Sequence, residues 1–386
     1  WLEALDLEMP TNADELYEVL KAFKEQDPNG NGEADEIPMI GTHGTWNGYF
    51  DEMIINFFTY YNTDYMLAVE DDVVYAPFVT EEWQEAMIYM NKLVSEGLLS
   101  DLSFTATVDE LVSMIQSYPQ DEQILGVVIG NTATTFPDTT NPAILAYDML
   151  PPFEDAYTPE RTANITKLCY ITADCEHPEI AFRLFDYFAQ ERVSLITRYG
   201  EPGVHFMYRA DDPEAFDAMF PNASQNAMNR GWEAVHAQIP GVTSPWVTEN
   251  NAMWNIHMCC LLPAETYGSS GSTTPASEFV TSWQEGVERG DIQAYRTYLG
   301  SLTGAWTGQL PEQLFVDPIY TLEEMDMYNT TINTVREYVR ECIAAFATGA
   351  MDPVNDWDAY LASLDAAGLQ DWLNVAQAYW DRSHAA

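Results

Sequence analysis

The sequence predicts a helix-rich α/β protein of more than one domain, and three observations carry this. Its 386 residues exceed the roughly 250–300 at which a single hydrophobic core stops growing. Hydrophobic residues make up 47% and aromatics 13%, enough to build cores and too many for bulk disorder. Short strand-like runs are mixed among longer helical ones, the order that builds α/β layers.

The elements follow in chain order. Trp1-Leu2-Glu3-Ala4-Leu5 reads as a helix already under way. Thr11 is placed to cap a helix whose Leu16, Val19, Leu20 and Phe23 recur at helical spacing. Thr80 starts another, with Trp83, Met87, Met90 and Val94 on one face and Gly97 near its end. Pro178 suits the first turn of a third, followed by Ala181, Leu184, Phe185 and Phe188. Thr321 and Glu324 form a capping-box pattern before a long helix that stops at Gly349. Two shorter helices follow, separated near Gly368. Strands are expected at 37–40, 124–129, 143–149, 167–172 and 203–208. The Pro-, Glu- and Thr-rich stretch 151–162 is the expected crossing, dividing a domain 1–155 from the remainder 156–386.

Charge and composition exclude several classes. There are 61 Asp and Glu against 15 Lys and Arg, a net charge of −46. Such a surface repels phosphate backbones and anionic lipid heads, so nucleic acid and membrane surfaces are poor partners. No apolar run approaches the roughly 18 residues of a membrane-spanning helix. The chain starts without Met, and it reads as a fragment whose natural N-terminus lies upstream, so a missing leader says nothing about location. The five cysteines contain no Cys-x-x-Cys and are odd in number; buried thiols are the plain reading, with a Cys169–Cys175 pairing left open.

One motif carries strong chemistry. Residues 27–36 read Asp-Pro-Asn-Gly-Asn-Gly-Glu-Ala-Asp-Glu. With Asp27 as position 1, side-chain oxygens fall at Asp27, Asn29, Asn31 and Asp35, and Gly32 stands at position 6, where a Ca²⁺ loop turns sharply. Glu33 would give its main-chain carbonyl. Position 12 is Pro38 instead of the usual Glu, so Glu36 is the expected closing ligand. No second ligand-bearing helix follows, which makes this a static structural Ca²⁺ site instead of an opening sensor. Mg²⁺ fits less well, because it prefers octahedral sites that keep water.

Other constellations are weak. Six histidines are scattered without a metal pair, and no Gly-x-Ser-x-Gly, Walker or dinucleotide fingerprint occurs. With this many carboxylates, no glycosidase pair can be singled out. The eleven Trp say more. Trp46, Trp232, Trp246, Trp254 and Trp306 stand in loop-like contexts, where aromatic faces stack on sugar rings and Asn or Asp bonds the hydroxyls.

Several segments resemble one family. Asp27 to Pro38 is similar, nearly residue for residue, to the calcium loop of family-one extracellular solute-binding proteins of bacterial ABC importers, of the lipoprotein type that includes alginate-binding proteins. The stretch before it, Met9-Pro10-Thr11 with Glu15-Leu16, resembles the family's segment leading into its first "Pro-Thr…Glu-Leu" helix. His177-Pro178-Glu179 with Asp186-Tyr187 resembles its "His-Pro-Glu…Asp-Tyr" helix. Gly200-Glu201-Pro202-Gly203-Val204-His205-Phe206 resembles its "Gly-x-x-Gly-Val-His-Tyr" turn, with Phe206 in place of Tyr. Asp356-Trp357-Asp358-Ala359-Tyr360 and Gln377-Ala378-Tyr379-Trp380-Asp381-Arg382 resemble its C-terminal signature.

The resemblance implies a two-lobe periplasmic-binding-protein-like (type II) fold, entered here after the first lobe's opening elements, so that this lobe is incomplete. It also implies an extracellular protein, lipid-anchored through the missing N-terminal segment, that closes on its ligand and is read by ABC permease subunits in the membrane. It carries metal roles onto Asp27, Asn29, Asn31, Glu33 (main chain), Asp35 and Glu36. The expected ligand is a carbohydrate, oligosaccharide or other small polar solute. Its expected contacts are Trp46, Asn47, His205, Trp232 and Trp254, with Asn131 and Thr132 added because ligand loops follow strand C-termini. No chemical step is expected. The alternatives are a calcium-stabilised glycoside hydrolase or lyase, and a surface adhesion module.

Overall fold

The computed structural model describes residues 1–44, 48–131, 135–136, 141–158, 170–188, 190, 193, 196, 200–219, 236–238, 280–306, 309–316 and 318–384. The chain forms two compact units. One comprises Trp1–Thr162 and Thr281–Ala386, the other Ala163–Val280. The sequence division at 155/156 puts residues 281–386 with the second part. In the structure this C-terminal segment returns to the first unit, because its helices complete the first unit's core.

In the first unit, residues 1–7 form turns instead of the expected helix, with Leu5 N–H on the Trp1 carbonyl at 3.0 Å and Leu7 N–H on that of Leu2 at 2.9 Å. Helix α1 (Ala13–Glu25) is capped by Asn12, whose side chain accepts the Glu15 N–H at 2.9 Å. Thr11, the expected cap, instead gives its N–H and hydroxyl to the Glu15 carboxylate, both at 2.8 Å. Leu16, Val19, Leu20 and Phe23 are buried as their spacing requires.

Strand β1 (Ile37–Ile40) runs into a short hairpin, β2 (His43–Gly44) and β3 (Gly48–Tyr49), then helix α2 (Phe50–Ile55). A second hairpin pairs β4 (Ala68–Glu70) with β5 (Val73–Tyr75). Helix α3 (Glu81–Ser95) is capped by Thr80 as expected, and α4 (Val108–Gln116) by a Thr107–Glu110 capping box. Strand β6 (Leu125–Val128) then returns beside β1 in parallel, pairing Ile37 with Leu125 and Ile40 with Val128. Here Phe23 and Trp1 close on the strand at Gly126, where any Cβ would lie 2.8 Å from both rings and 2.6 Å from the Pro38 carbonyl oxygen. Residues 143–149, expected as a strand, begin instead as a 3-10 turn, Pro142–Ala146. The Asn141 side chain accepts the Ala143 N–H at 2.9 Å, and Pro142 presets the first turn.

In the second unit, helix α5 (Pro178–Phe188) begins at Pro178 as expected, but none of its residues is buried. Phe182 is 64% exposed and Leu184 51%. Strand β7 (Phe206–Tyr208) is shorter than the expected 203–208, and residues 170–172 are not a strand; 167–169 lie outside the described residues. Helix α6 (Pro213–Met219) brings Phe216 to a buried position, as is Phe206, and β8 (His236–Gln238) pairs antiparallel with β7.

Back in the first unit, α7 (Trp283–Arg289) and α8 (Ile292–Leu302) lead to α9 (Leu322–Met327), where Thr321 and Glu324 make the expected capping box. A π-helical turn, Tyr328–Ile332, joins it to α10 (Asn333–Thr348). Val335, Val339, Cys342, Ile343 and Phe346 of α10 pack on α3 in one continuous core, and Gly349 ends the helix at φ 78°. Helices α11 (Trp357–Ala366) and α12 (Leu369–Ser383) close the unit. Gly368 between them has φ 96°, and a Cβ there would meet Thr331 Cγ2 at 2.5 Å. Trp372 stacks on Phe78, with ring centroids 6.0 Å apart.

Candidate functional site

The calcium-type loop connects α1 to β1. Asp27, Gly30 and Gly32 have φ of 49°, 70° and 80°, the left-handed turns such a loop needs. Its side chains fold onto its own main chain. Asn31 N–H donates to Asp27 Oδ1 (3.1 Å) and Asn29 Oδ1 (3.0 Å), and Gly32 N–H donates to Asp27 Oδ2 (2.9 Å). Glu33 N–H donates to Asn31 Oδ1 at 2.7 Å, and the Asn31 amide to Asp35 Oδ1 at 3.1 Å. The Asn29 amide reaches the Gln123 carbonyl at 3.2 Å, fixing the loop beside β6. Pro38, which fills the position of the usual twelfth-residue Glu, is buried in β1 and its side chain has no oxygen to give.

The observation that tests the loop as a cation site is Glu36. Its Oε1 is buried and has no hydrogen-bond partner. Burial raises this carboxyl above its ordinary value, and the nearby charges of Asp35 and Asp27 add to the rise. A divalent cation would remove both penalties, so the donor types suit one, while Asp27, Asp35 and Glu36 are not drawn together around a common point here. Among the described residues no three His, Cys, Asp or Glu side chains are grouped to hold a metal. This donor set depends on two Asn amides and a main-chain carbonyl as well.

A second set of candidates stands at the C-terminal edge of the β1–β6 pair. Ile129 N–H donates to the Ile40 carbonyl at 2.9 Å, so the chain leaving β6 and the chain leaving β1 diverge from one place. One leads to Asn131, the other to His43. Loops at adjacent parallel-strand C-termini are where α/β folds bind ligands. Asn131 is exposed, and its carbonyl accepts the Thr135 N–H at 2.8 Å. His205, in the second unit, is half-buried, and its Nδ1 accepts the Glu201 N–H at 3.0 Å, tying it to its own turn. Trp46, Asn47, Thr132, Trp232 and Trp254 lie outside the described residues, as do Trp246 and Cys169. Trp306 has a structural task, its indole N–H donating to the Leu150 carbonyl at 3.1 Å. Cys175 and Cys342 are free thiols.

Sequence reasoning missed a polar cluster at the same edge. His43 Nδ1 lies 3.7 Å from Asp51 Oδ1. Asp51 and Glu52 are both 5% exposed, and Glu52 Oε1 accepts the Thr63 N–H at 2.6 Å. Burial raises the Asp51 carboxyl, opposed by His43 first and also by Arg340. The signal available in sequence was position alone: His43 stands three residues before Trp46.

No family model matches the chain. It is 38% identical over 104 residues to the fructooligosaccharide ABC transporter substrate-binding protein FusA of Streptococcus pneumoniae, covering 27% of this chain and 19% of that protein. It is 27% identical over 218 residues to the polygalacturonan/rhamnogalacturonan-binding protein YtcQ of Bacillus subtilis, covering 53% of this chain and 41% of that protein. The aligned segments thus span under half the length of these relatives. Among solved structures, an EF-hand mutant of S. pneumoniae FusA with fructo-nystose superposes at TM-score 0.65 and 21% identity, covering 100% of this chain and 71% of that one. The alginate-binding protein AlgQ2 without calcium superposes at TM-score 0.61 and 20% identity, covering 99% and 70%. Over the aligned segments the chain is similar in sequence to ABC-transporter substrate-binding proteins, and over its whole length it has the α/β fold of the solved solute-binding proteins.

Proposed function

We propose that the protein is the extracellular solute-binding subunit of an ABC importer, that its two compact units are parts of the two lobes, and that it captures a neutral oligosaccharide between aromatic and Asn side chains without changing it chemically. The observation that carries this reading is the fold likeness over the full chain to carbohydrate-bound FusA, joined to candidate ligand loops at the ends of two adjacent parallel strands. Hinge closure would trap the ligand and present the closed form to permease subunits. A relative 37% identical over 103 residues is named lipoprotein LipO, which supports anchoring at the cell membrane. Among the described residues no helix is long and apolar enough to cross a membrane. The net charge of −46 favours a neutral sugar over a polyanion.

The test is calorimetry and thermal shift against neutral and acidic oligosaccharides, with the products assayed for new reducing ends. Binding without turnover is expected. Turnover would replace this reading by the hydrolase or lyase one.

Asp27, Asn29, Asn31, Asp35 and Glu36, with the Glu33 carbonyl, would hold Ca²⁺ and brace the α1–β1 connection. Ca²⁺ at 100 times its Kd stabilises a folded protein by about 2.7 kcal/mol. EDTA should therefore lower Tm by several degrees, and Asp27→Ala should abolish that shift. An unchanged Tm on adding EDTA to Ca²⁺-loaded protein sinks the calcium assignment.

A further inference from the structure

We infer that the groove between the turn Asp101–Phe104 and helix α4 is a further subsite for the solute, taking an outer ring of a neutral oligosaccharide; the inference rests on the solute-binding reading above. Its place in the fold comes first. Leu99 forms a parallel bridge to Met39 of β1, and Ser100 N–H donates to the Met39 carbonyl at 2.9 Å. The chain after Leu99 therefore leaves at the same edge as the chains leaving β1 and β6. Gly41, the first residue past β1, donates its N–H to the buried Ser103 Oγ at 3.1 Å, and Phe104 meets Phe50 edge-on with ring centroids 4.9 Å apart. The turn is thus pinned at the strand C-termini, where α/β folds bind ligands.

The chain then doubles back as α4, its start set by the Thr107–Glu110 capping box. Between turn and helix lies a groove of about 680 Å³, within the roughly 300–1,000 Å³ of small-molecule sites. Leu102, Ala106 and Met114 give it an apolar lining, and Thr105, Asp109, Glu110 and Ser113 a polar one. Leu102 is 44% exposed, so the apolar part is open to solvent. A sugar ring has C–H groups on its faces and hydroxyls at its edge. The lining offers apolar surface to the first, and hydroxyl and carboxylate partners to the second. Among the described residues no Lys or Arg lines the groove. The Glu110 carboxylate accepts the Thr107 N–H at 2.8 Å and its hydroxyl at 3.0 Å, which holds the carboxyl below its ordinary value. With Asp109 it repels an acidic sugar and tolerates a neutral one.

The test joins calorimetry to NMR of ¹³C-methyl-methionine protein, with Met114→Leu assigning the Met114 signal. The probes are malto-, cello- and fructo-oligosaccharides of two to six rings. At the length that reaches the groove, affinity should rise in one step of about tenfold, the gain of one hydrogen bond. The Met114 methyl should shift at that length and beyond, and not below it. Ala106→Trp fills the groove. It should abolish the step and leave the affinity of the shorter sugars unchanged, which a folding defect would not do. A series that binds without a step, or a step that survives Ala106→Trp, overturns the subsite. A Met114 shift with trilysine and none with sugars overturns it in favour of a basic peptide. If no sugar of any length binds the wild-type chain, the solute-binding reading itself fails and the subsite falls with it.

Discussion

Asp51 and Glu36 are two carboxyl groups whose surroundings work against their charge. Burial raises both above their ordinary values. A carboxyl with a raised folded pKa holds its proton more tightly in the folded chain. Its contribution favours folding at low pH and turns against it as pH rises past the folded value. Asp51→Asn should therefore raise Tm near pH 8 by about 2 °C, what roughly 1 kcal/mol gives in a domain of this size. That gain should vanish as pH falls toward the unfolded value near 4; thermal melts across this range check it. Glu36→Gln should act in two directions, raising Tm in EDTA and lowering it in Ca²⁺. The calcium-type loop was legible as a turn rich in oxygen donors because Asp27, Asn29, Asn31 and Asp35 lie within one short segment. Asp51 was not, since it stands in an apolar run and only folding brings His43 and Arg340 to it.

Helices read most clearly where a local cap or stop fixes them. Thr80, Thr321, Gly349 and Gly368 each do what their residue type requires. The 143–149 strand failed because an apolar run has no period of its own, and Asn141-Pro142 turned it into a 3-10 turn. In α5 the apolar pattern was legible and its partner was not, because which surface covers a face depends on the rest of the fold. The α3–α10 contact is the element-scale test. Phe346→Ala should cost about 3–5 kcal/mol, read from urea unfolding. At the α11–α12 corner, Gly368→Ala should cost more than about 1 kcal/mol, the usual penalty for a side chain at positive φ. Thr331→Ser removes the clashing methyl, so in that background the same substitution should cost less.

Over the whole molecule, 61 acidic side chains repel one another across a surface with few cations to offset them. Raising NaCl from 0.01 M to 1 M shortens the Debye length from about 30 Å to about 3 Å. In EDTA this should raise Tm by several degrees, and a flat salt profile would mean that the carboxylates are well dispersed. The first unit is also knitted across its sequence. At the β4–β5 turn, Asp71 and Asp72 adopt φ of 49° and 63°. Asp72 Oδ1 accepts from the Gln313 amide at 2.7 Å and the Trp380 indole at 3.2 Å, and its carbonyl accepts from Gln377 at 2.9 Å. The Asp72 side chain thus waits for partners 241 and 308 residues later in the sequence. All of Ala163–Val280 must have emerged before this knot can tie. Loop-closure entropy makes such long-range closure slow. A nascent chain stalled before Leu369 should therefore stay protease-sensitive throughout its first unit, whatever helices it has already made.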